Sequence, residues 1–95
     1  MNMSRITVIN LDKERHLKFN LNALILAEKE TGIKMSDMAN EAKDGLSLEF
    51  LRAFLYAGLK WEDKKLTVEK VGDMIDFDNL SEVSEVLSEA MGDLK

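Results

Sequence analysis

The only histidine of this 95-residue chain, His16, is the first side chain to consider for catalysis or metal binding. A histidine that acts as a general base needs an orienting partner, and one that binds zinc needs co-ligands. The chain contains no cysteine and no second histidine, so neither a zinc site nor a convincing Ser/His/Asp triad can be assembled. We therefore expect His16 to be a surface residue near the beginning of a strand.

A cluster of carboxylates in "DMIDFDN", Asp73 to Asn79, is the second candidate for chemistry. A calcium loop needs ligands at alternate positions, a central glycine and a more distant glutamate. Asp76 and Asp78 match only the first two ligand positions, and Phe77 and the missing glycine break the pattern. We interpret this segment as a helix-capping connection. No glycine-rich phosphate motif is found either, so the sequence predicts no enzyme, cofactor or metal site.

The acidic charge of the chain, −5 in total, is concentrated in its last third. Residues 1–34 hold six Lys/Arg and four Asp/Glu, for +2, whereas residues 66–95 hold two and eight, for −6. Such a surface repels phosphate and disfavours nucleic-acid binding. The sequence also has no signal peptide and no apolar run of the length that spans a membrane. We expect one globular domain over residues 1–95.

The first part of the chain, residues 1–21, predicts a β-hairpin. The segments "RITVINL" and "HLKFNL" are rich in β-branched and aromatic residues, and "DKER", Asp12 to Arg15, predicts a four-residue turn between them. Leu17, Phe19 and Leu21 alternate with polar residues and are expected to share one face. The first strand has apolar residues on both faces, so the sequence does not predict which face of this strand packs on the core.

The rest of the chain, residues 22–95, predicts about five helices, two of them short. Their expected N-terminal residues are polar side chains that can accept a backbone N–H: Asn20 or Asn22, Ser36, Ser47, Thr67, and Asp78 or Ser81. Four glycines fall at predicted helix ends: Gly32, Gly45, Gly58 and Gly92. Gly72 falls inside a short helix, where it would allow two helices to approach closely. The fold class is therefore α+β, mainly α.

Two of these helices carry the largest apolar surfaces. The helix "LEFLRAFLYAG" is apolar on nearly all sides, and we expect Leu51, Phe54 and Leu55 in the core. The last helix is amphipathic, with an apolar stripe and glutamates outside it. That stripe either completes the core or binds a partner. The stripe consists of Leu80, Val83, Val86, Leu87, Ala90 and Met91.

Trp61 lies in the charged loop "KWEDKK", just after the apolar helix. A tryptophan in such a place is either a lid over the small core or the anchor of an interface. Of the six methionines, Met1 and Met3 lie at the N-terminus, and the four on predicted helices suggest ordinary core positions more than an adaptable binding surface: Met35, Met38, Met74 and Met91.

Taken together, three segments resemble the tail assembly chaperones of long-tailed bacteriophages and related prophages. They are "FNLNALILAEKETGI", "LRAFLYAGL" and "LTVEKVGDMID" followed by an acidic helix, and they cover nearly all of residues 5–91. The resemblance implies a protein of the bacterial host cytoplasm that is absent from the mature virion. It also implies binding of the hydrophobic tape measure protein, which such chaperones keep soluble, and recruitment of tail tube subunits. No catalytic residue follows from it.

A chaperone of this kind needs an apolar surface, and we expect that surface to self-associate when no client is bound. Our candidates for it are residues of the last helix together with the loop tryptophan: Trp61, Val83, Val86, Leu87 and Met91. Replacing both Val83 and Leu87 with aspartate should abolish client binding but leave the fold helical, whereas loss of the fold would mean that the stripe is core.

Two other classes of protein remain as alternatives. The first is a structural phage protein such as a head–tail connector or tail component, which would be retained in the virion. The second is a small regulatory or antitoxin-like protein, which a basic recognition helix would support. No such helix is visible, since "LRAFLYAGLKW" carries only Arg52 and Lys60 as basic residues.

Overall fold

An antiparallel two-stranded hairpin precedes the helices, which confirms the predicted α+β class. The computed structural model describes residues 6–37 and 47–92, and for residues 91 and 92 it describes the backbone only. The strands are β1 (Ile6–Asn10) and β2 (Glu14–Lys18). The helices are α1 (Leu21–Thr31), α2 (Leu48–Leu59), α3 (Val68–Asp73) and α4 (Leu80–Gly92). Residues 35–37 are also helical.

The turn of the hairpin is shorter than the sequence predicted. Asn10 pairs with Glu14, so residues 11–13 form the connection, and Arg15 belongs to β2 rather than to a four-residue turn. The N–H of Leu11 donates to the carbonyl of Lys13 at 3.0 Å and continues the ladder into the loop. The register therefore places Arg15 opposite Ile9.

The core face of the hairpin, left open by the sequence, is the one that carries Ile9. Ile9 and Leu17 are buried, whereas Ile6 and Val8 are about half exposed on the opposite face. Phe19 follows Leu17 into the core, but Leu21 is 63% exposed. The prediction that Leu21 shares their face was wrong because α1 already begins at Leu21, and a helix does not keep the alternation of a strand.

Helix α1 has the two ends that its sequence predicts. The Asn20 side chain accepts a hydrogen bond from the N–H of Ala23 at 3.0 Å. Gly32 adopts a left-handed conformation with φ of 73°, and its N–H donates to the carbonyl of Glu28. Helical structure resumes at Met35, so Ser36 lies within that turn and does not precede it. The rest of the predicted second helix, and Gly45 at its end, fall outside the described residues.

Helix α2 forms the centre of the fold. Its first turn is capped by Ser47, whose Oγ accepts the N–H of Phe50 at 3.1 Å. Leu51, Phe54 and Leu55 are all buried, which confirms the predicted core. The ring of Phe54 stacks on that of Phe19 with 4.6 Å between the ring centres, so the residue that follows β2 is joined to α2 through aromatic contact.

Gly58 does not end α2, as the sequence predicted, but lies inside it. The helix continues to Leu59, and Gly58 is buried against the segment that follows β2. A Cβ at this position would lie 2.6 Å from Cζ of Phe19 and 2.8 Å from Cδ2 of Leu17. The missing side chain therefore lets the hairpin approach the helix backbone closely.

Helix α3 begins as predicted and packs on α2 through its glycine. Thr67 caps it by accepting the N–H of Lys70 at 3.1 Å. A Cβ at Gly72 would lie 3.0 Å from Cδ of Arg52, which confirms the close approach of two helices at this glycine.

The connection into α4 is a capping turn, as predicted for "DMIDFDN". The Asp76 side chain accepts the N–H of Asp78 at 2.9 Å and that of Asn79 at 3.3 Å. Helix α4 itself begins at Leu80, so neither Asp78 nor Ser81 is its starting residue as predicted. Asp76 organises the turn instead, and the carbonyl of Asn79 accepts the N–H of Val83.

Candidate functional site

Three residues of the apolar stripe of α4, Val83, Leu87 and Ala90, are buried in the core, which removes two of the predicted partner-binding residues. Val83 is 1% exposed and Leu87 is fully buried, so these two side chains are not presented to a partner. Val86 is half-buried against the same core, and the side chain of Met91 lies outside the described residues. The correction has a simple reason: in so small a domain, α4 is needed to close the core beneath the hairpin. We now expect the double substitution of Val83 and Leu87 with aspartate to unfold the protein.

The side chain of Trp61 lies along the outer edge of β2. Its Nε1–H donates to the carbonyl oxygen of His16 at 2.9 Å, and the ammonium of Lys18 lies 5.0 Å from the centre of its ring. These contacts are with β2, and both roles that the sequence left open for Trp61, a lid over the core and the anchor of an interface, stay predictions.

The two residues that follow Trp61 also bind β2. Glu62 accepts the backbone N–H of His16 at 3.3 Å and lies 2.8 Å from its Nδ1. Asp63 lies 3.5 Å from the guanidinium of Arg15. His16 is thus the third residue of β2, not its first, and its side chain is 32% exposed. We call residues 61–63 the hairpin clamp.

Arg15 is a buried charge within this arrangement, with a side chain that is only 6% exposed. Its Nε and Nη2 donate to the two carboxylate oxygens of Asp12 at 2.7 and 2.9 Å. This bidentate pair raises the pKa of Arg15 and holds the pKa of Asp12 below its usual range. The pKa of Asp63 is also lowered, mainly because its carboxylate accepts the N–H of Lys65. These groups join β2 to the turn of the hairpin and to Asp63.

An apolar groove lies between α2 and the α3–α4 connection. It encloses about 600 Å³ and opens to solvent. Leu51 forms its floor, Ile75 and Leu80 form half-buried walls, and Leu48 and Phe77 stand at its rim. We call these five residues the apolar groove.

The rim of the groove is the most exposed apolar surface in the described part of the chain. Phe77 is 96% exposed and Leu48 is 68% exposed. An exposed aromatic side chain beside a pocket of this kind typically marks a surface that binds another molecule. The turn keeps the side chain of Phe77 exposed. The carboxylate of Asp76 accepts hydrogen bonds from the backbone N–H groups of Asp78 and Asn79, which follow the phenylalanine.

The polar groups around the groove are few. Glu49 and Asp76 contribute carboxylates, and Arg52 contributes the aliphatic stem that covers Gly72. Within residues 6–37 and 47–92, no group of three metal-ligating side chains occurs. In the same ranges, no helix has the length and apolar character needed to cross a membrane. The lining of the groove is therefore mainly apolar.

Comparison with protein-family models, curated proteins and solved structures finds no match for this chain.

The groove was not predicted from the sequence because its residues come from segments with other assignments. Leu48 was expected in the apolar helix and Phe77 in a capping turn, and neither was considered for binding. One signal was present: in "DFD", an aromatic residue sits between two aspartates in a turn. A short turn whose neighbours are charged cannot easily bury a phenylalanine, so exposure of Phe77 could have been inferred.

Proposed function

We propose that this protein is a tail assembly chaperone that binds the tape measure protein during assembly of a long phage tail. The proposal rests on the resemblance of three segments to that class of protein and on one structural observation, the apolar groove with Phe77 at its rim. The binding surface is thus the groove, in place of Val83 and Leu87, which are core.

An apolar, largely helical client suits this groove. Leu48 and Leu51 lie one helical turn apart on α2, and Ile75 and Leu80 face them across the opening. An amphipathic helix can place its apolar side chains between such walls and cover Phe77. Burial of a phenylalanine side chain contributes about 1.5–3 kcal/mol, which makes Phe77 the expected main contact.

The charge of the chain supports the same role. A net charge of −5 keeps an assembly chaperone dispersed while its client is bound. In the proposed role the protein acts in the host cytoplasm, helps to recruit tail tube subunits, and is not retained in the finished virion.

Co-expression with a segment of the tape measure protein tests the proposal. We expect the segment to be insoluble alone and soluble in a complex that is recovered with this protein. A segment that stays insoluble, with nothing retained, would contradict the chaperone role. Mass spectrometry of purified virions provides the second arm: the protein should be absent, and its presence in stoichiometric amounts would favour a structural tail component.

A further inference from the structure

The two outer edges of the hairpin differ in how their backbone groups are used. At the outer edge of β2, the N–H of His16 donates to Glu62 and its carbonyl accepts from Trp61. The hairpin clamp therefore satisfies backbone groups that a free strand edge would leave open.

The outer edge of β1 has no such cover in the part of the chain that the structure describes. His16 pairs with Val8, and the backbone groups of His16 point away from β1. In an antiparallel ladder, the two residues of such a pair both turn their N–H and C=O groups outward. Val8 therefore directs its N–H and C=O outward, as do Ile6 and Asn10. Within residues 6–37 and 47–92, no hydrogen bond reaches these groups.

Strand β1 also lacks the features by which proteins usually protect an open edge. Natural edge strands carry charged residues, proline or a bulge. The five residues of β1, Ile6 to Asn10, include no charge and no proline, although 33% of the chain is charged. Val8 and Ile6 are 51% and 49% exposed on the outer face of the hairpin. The strand thus offers both free hydrogen-bonding groups and apolar side chains.

We propose that β1 pairs with β1 of a second copy of this chain, antiparallel and centred on Val8. Val8 then lies opposite Val8 of the second copy, and Ile6 lies opposite its Asn10. The two hairpins together form a four-stranded sheet, which is a more stable unit than an isolated hairpin. This dimer is independent of the proposed function.

Charge opposes a second copy less at this edge than at the acidic last third of the chain. Residues 6–18 carry three basic and two acidic side chains, for +1, whereas the whole chain carries −5. Two copies that meet through their acidic last thirds would repel each other. At β1 the facing strands are uncharged and can pair without like charges directly opposite each other.

The absence of cysteine makes a cross-linking test unambiguous. Residues in a hydrogen-bonded antiparallel pair have Cα atoms about 5.5 Å apart, within the range that a disulfide spans. We expect Val8→Cys to form a disulfide-linked dimer under mild oxidation. Ile6→Cys is the matched control, because two copies of that position would lie about 13 Å apart along the paired strands. A mixture of Ile6→Cys and Asn10→Cys should cross-link.

Cross-linking of Val8→Cys with itself, and of Ile6→Cys only with Asn10→Cys, would identify the register in which the two β1 strands pair. The proposal is wrong if Val8→Cys stays monomeric, or if Ile6→Cys cross-links with itself as readily as Val8→Cys does. Either result would mean that β1 does not pair around Val8.

Sedimentation equilibrium of the unmodified protein is the second test. We expect a monomer–dimer equilibrium, with Val8→Lys weakening the dimer by about tenfold or more because two lysines would face each other. Ile25→Lys on α1 is the control, since Ile25 is 52% exposed and lies away from β1 in the chain. Circular dichroism establishes that both variants are folded. A wild type that remains monomeric, or a Val8→Lys variant that dimerises as the wild type does, would overturn the proposal.

Discussion

Gly58 illustrates how a single residue can decide whether two elements fit together. It lies inside α2, where glycine is unfavourable for the helix by about 1 kcal/mol relative to alanine. This cost is offset by packing, because the buried side chains of Phe19 and Leu17 occupy the space that a side chain at position 58 would take. The sequence could not reveal this role, because a glycine near a helix end looks the same whether it terminates the helix or receives a neighbour.

Replacing Gly58 with alanine should therefore destabilise the protein despite the better helix propensity of alanine. We expect the free energy of unfolding to fall by about 1–2 kcal/mol, since the new methyl group meets two buried side chains that cannot move freely. Gly72→Ala is the matched control, because its nearest neighbour is the exposed and flexible side chain of Arg52. Urea unfolding should show little change or a gain for Gly72→Ala, and equal effects of the two variants would contradict this account.

The pair formed by Arg15 and Asp12 makes stability depend on pH. Because the folded state lowers the pKa of Asp12, the pair stabilises the protein above the unfolded-state pKa of about 4. That contribution is lost as the pH falls through the lowered pKa that Asp12 has in the folded state. We expect urea midpoints to decrease at acidic pH, and Asp12→Asn to show a smaller decrease between pH 5 and pH 2 than the wild type. Parallel pH profiles of the two proteins would show that the pair does not contribute.

At the scale of elements, local signals identified the helices, whereas long-range contacts placed the hairpin. Asn20, Ser47 and Thr67 each cap a helix as predicted, because a cap depends only on residues within one turn. The turn of the hairpin was misplaced because Arg15 looks like a turn residue in sequence. Its charge is buried only because Asp12 and Asp63 meet it, and Asp63 lies 48 positions away.

The hairpin clamp should contribute measurably to docking of β2. Trp61→Phe keeps an aromatic ring but removes the N–H that donates to His16, so we expect a loss of about 1 kcal/mol in the free energy of unfolding. In the same variant, the amides of β2 should exchange with solvent faster than in the wild type. Phe77→Ala is the control, since its side chain is 96% exposed and should change stability by less than about 0.5 kcal/mol. Unchanged stability of Trp61→Phe would contradict a structural role for the clamp.

At the scale of the whole molecule, burial separates the surfaces that hold the fold from those that remain available. The apolar stripe of α4 has the same sequence pattern whether it faces a core or a partner, so periodicity alone could not assign it. The structure places Val83 and Leu87 in the core with Leu17 and Phe54. Among the described residues, large apolar side chains remain exposed on β1, on α1 and at the rim of the groove: Ile6, Val8, Leu21, Ile25, Leu48 and Phe77.

The central claim is that the apolar groove binds the client, and affinity for a purified tape measure segment tests it most directly. Fluorescence anisotropy should compare the wild type with Phe77→Ala and with Ile25→Ala, which removes a similarly exposed apolar side chain from α1. We predict that Phe77→Ala weakens binding by about 10- to 100-fold while remaining folded, and that Ile25→Ala binds as the wild type does. Equal affinity of all three proteins for the segment would contradict the claim.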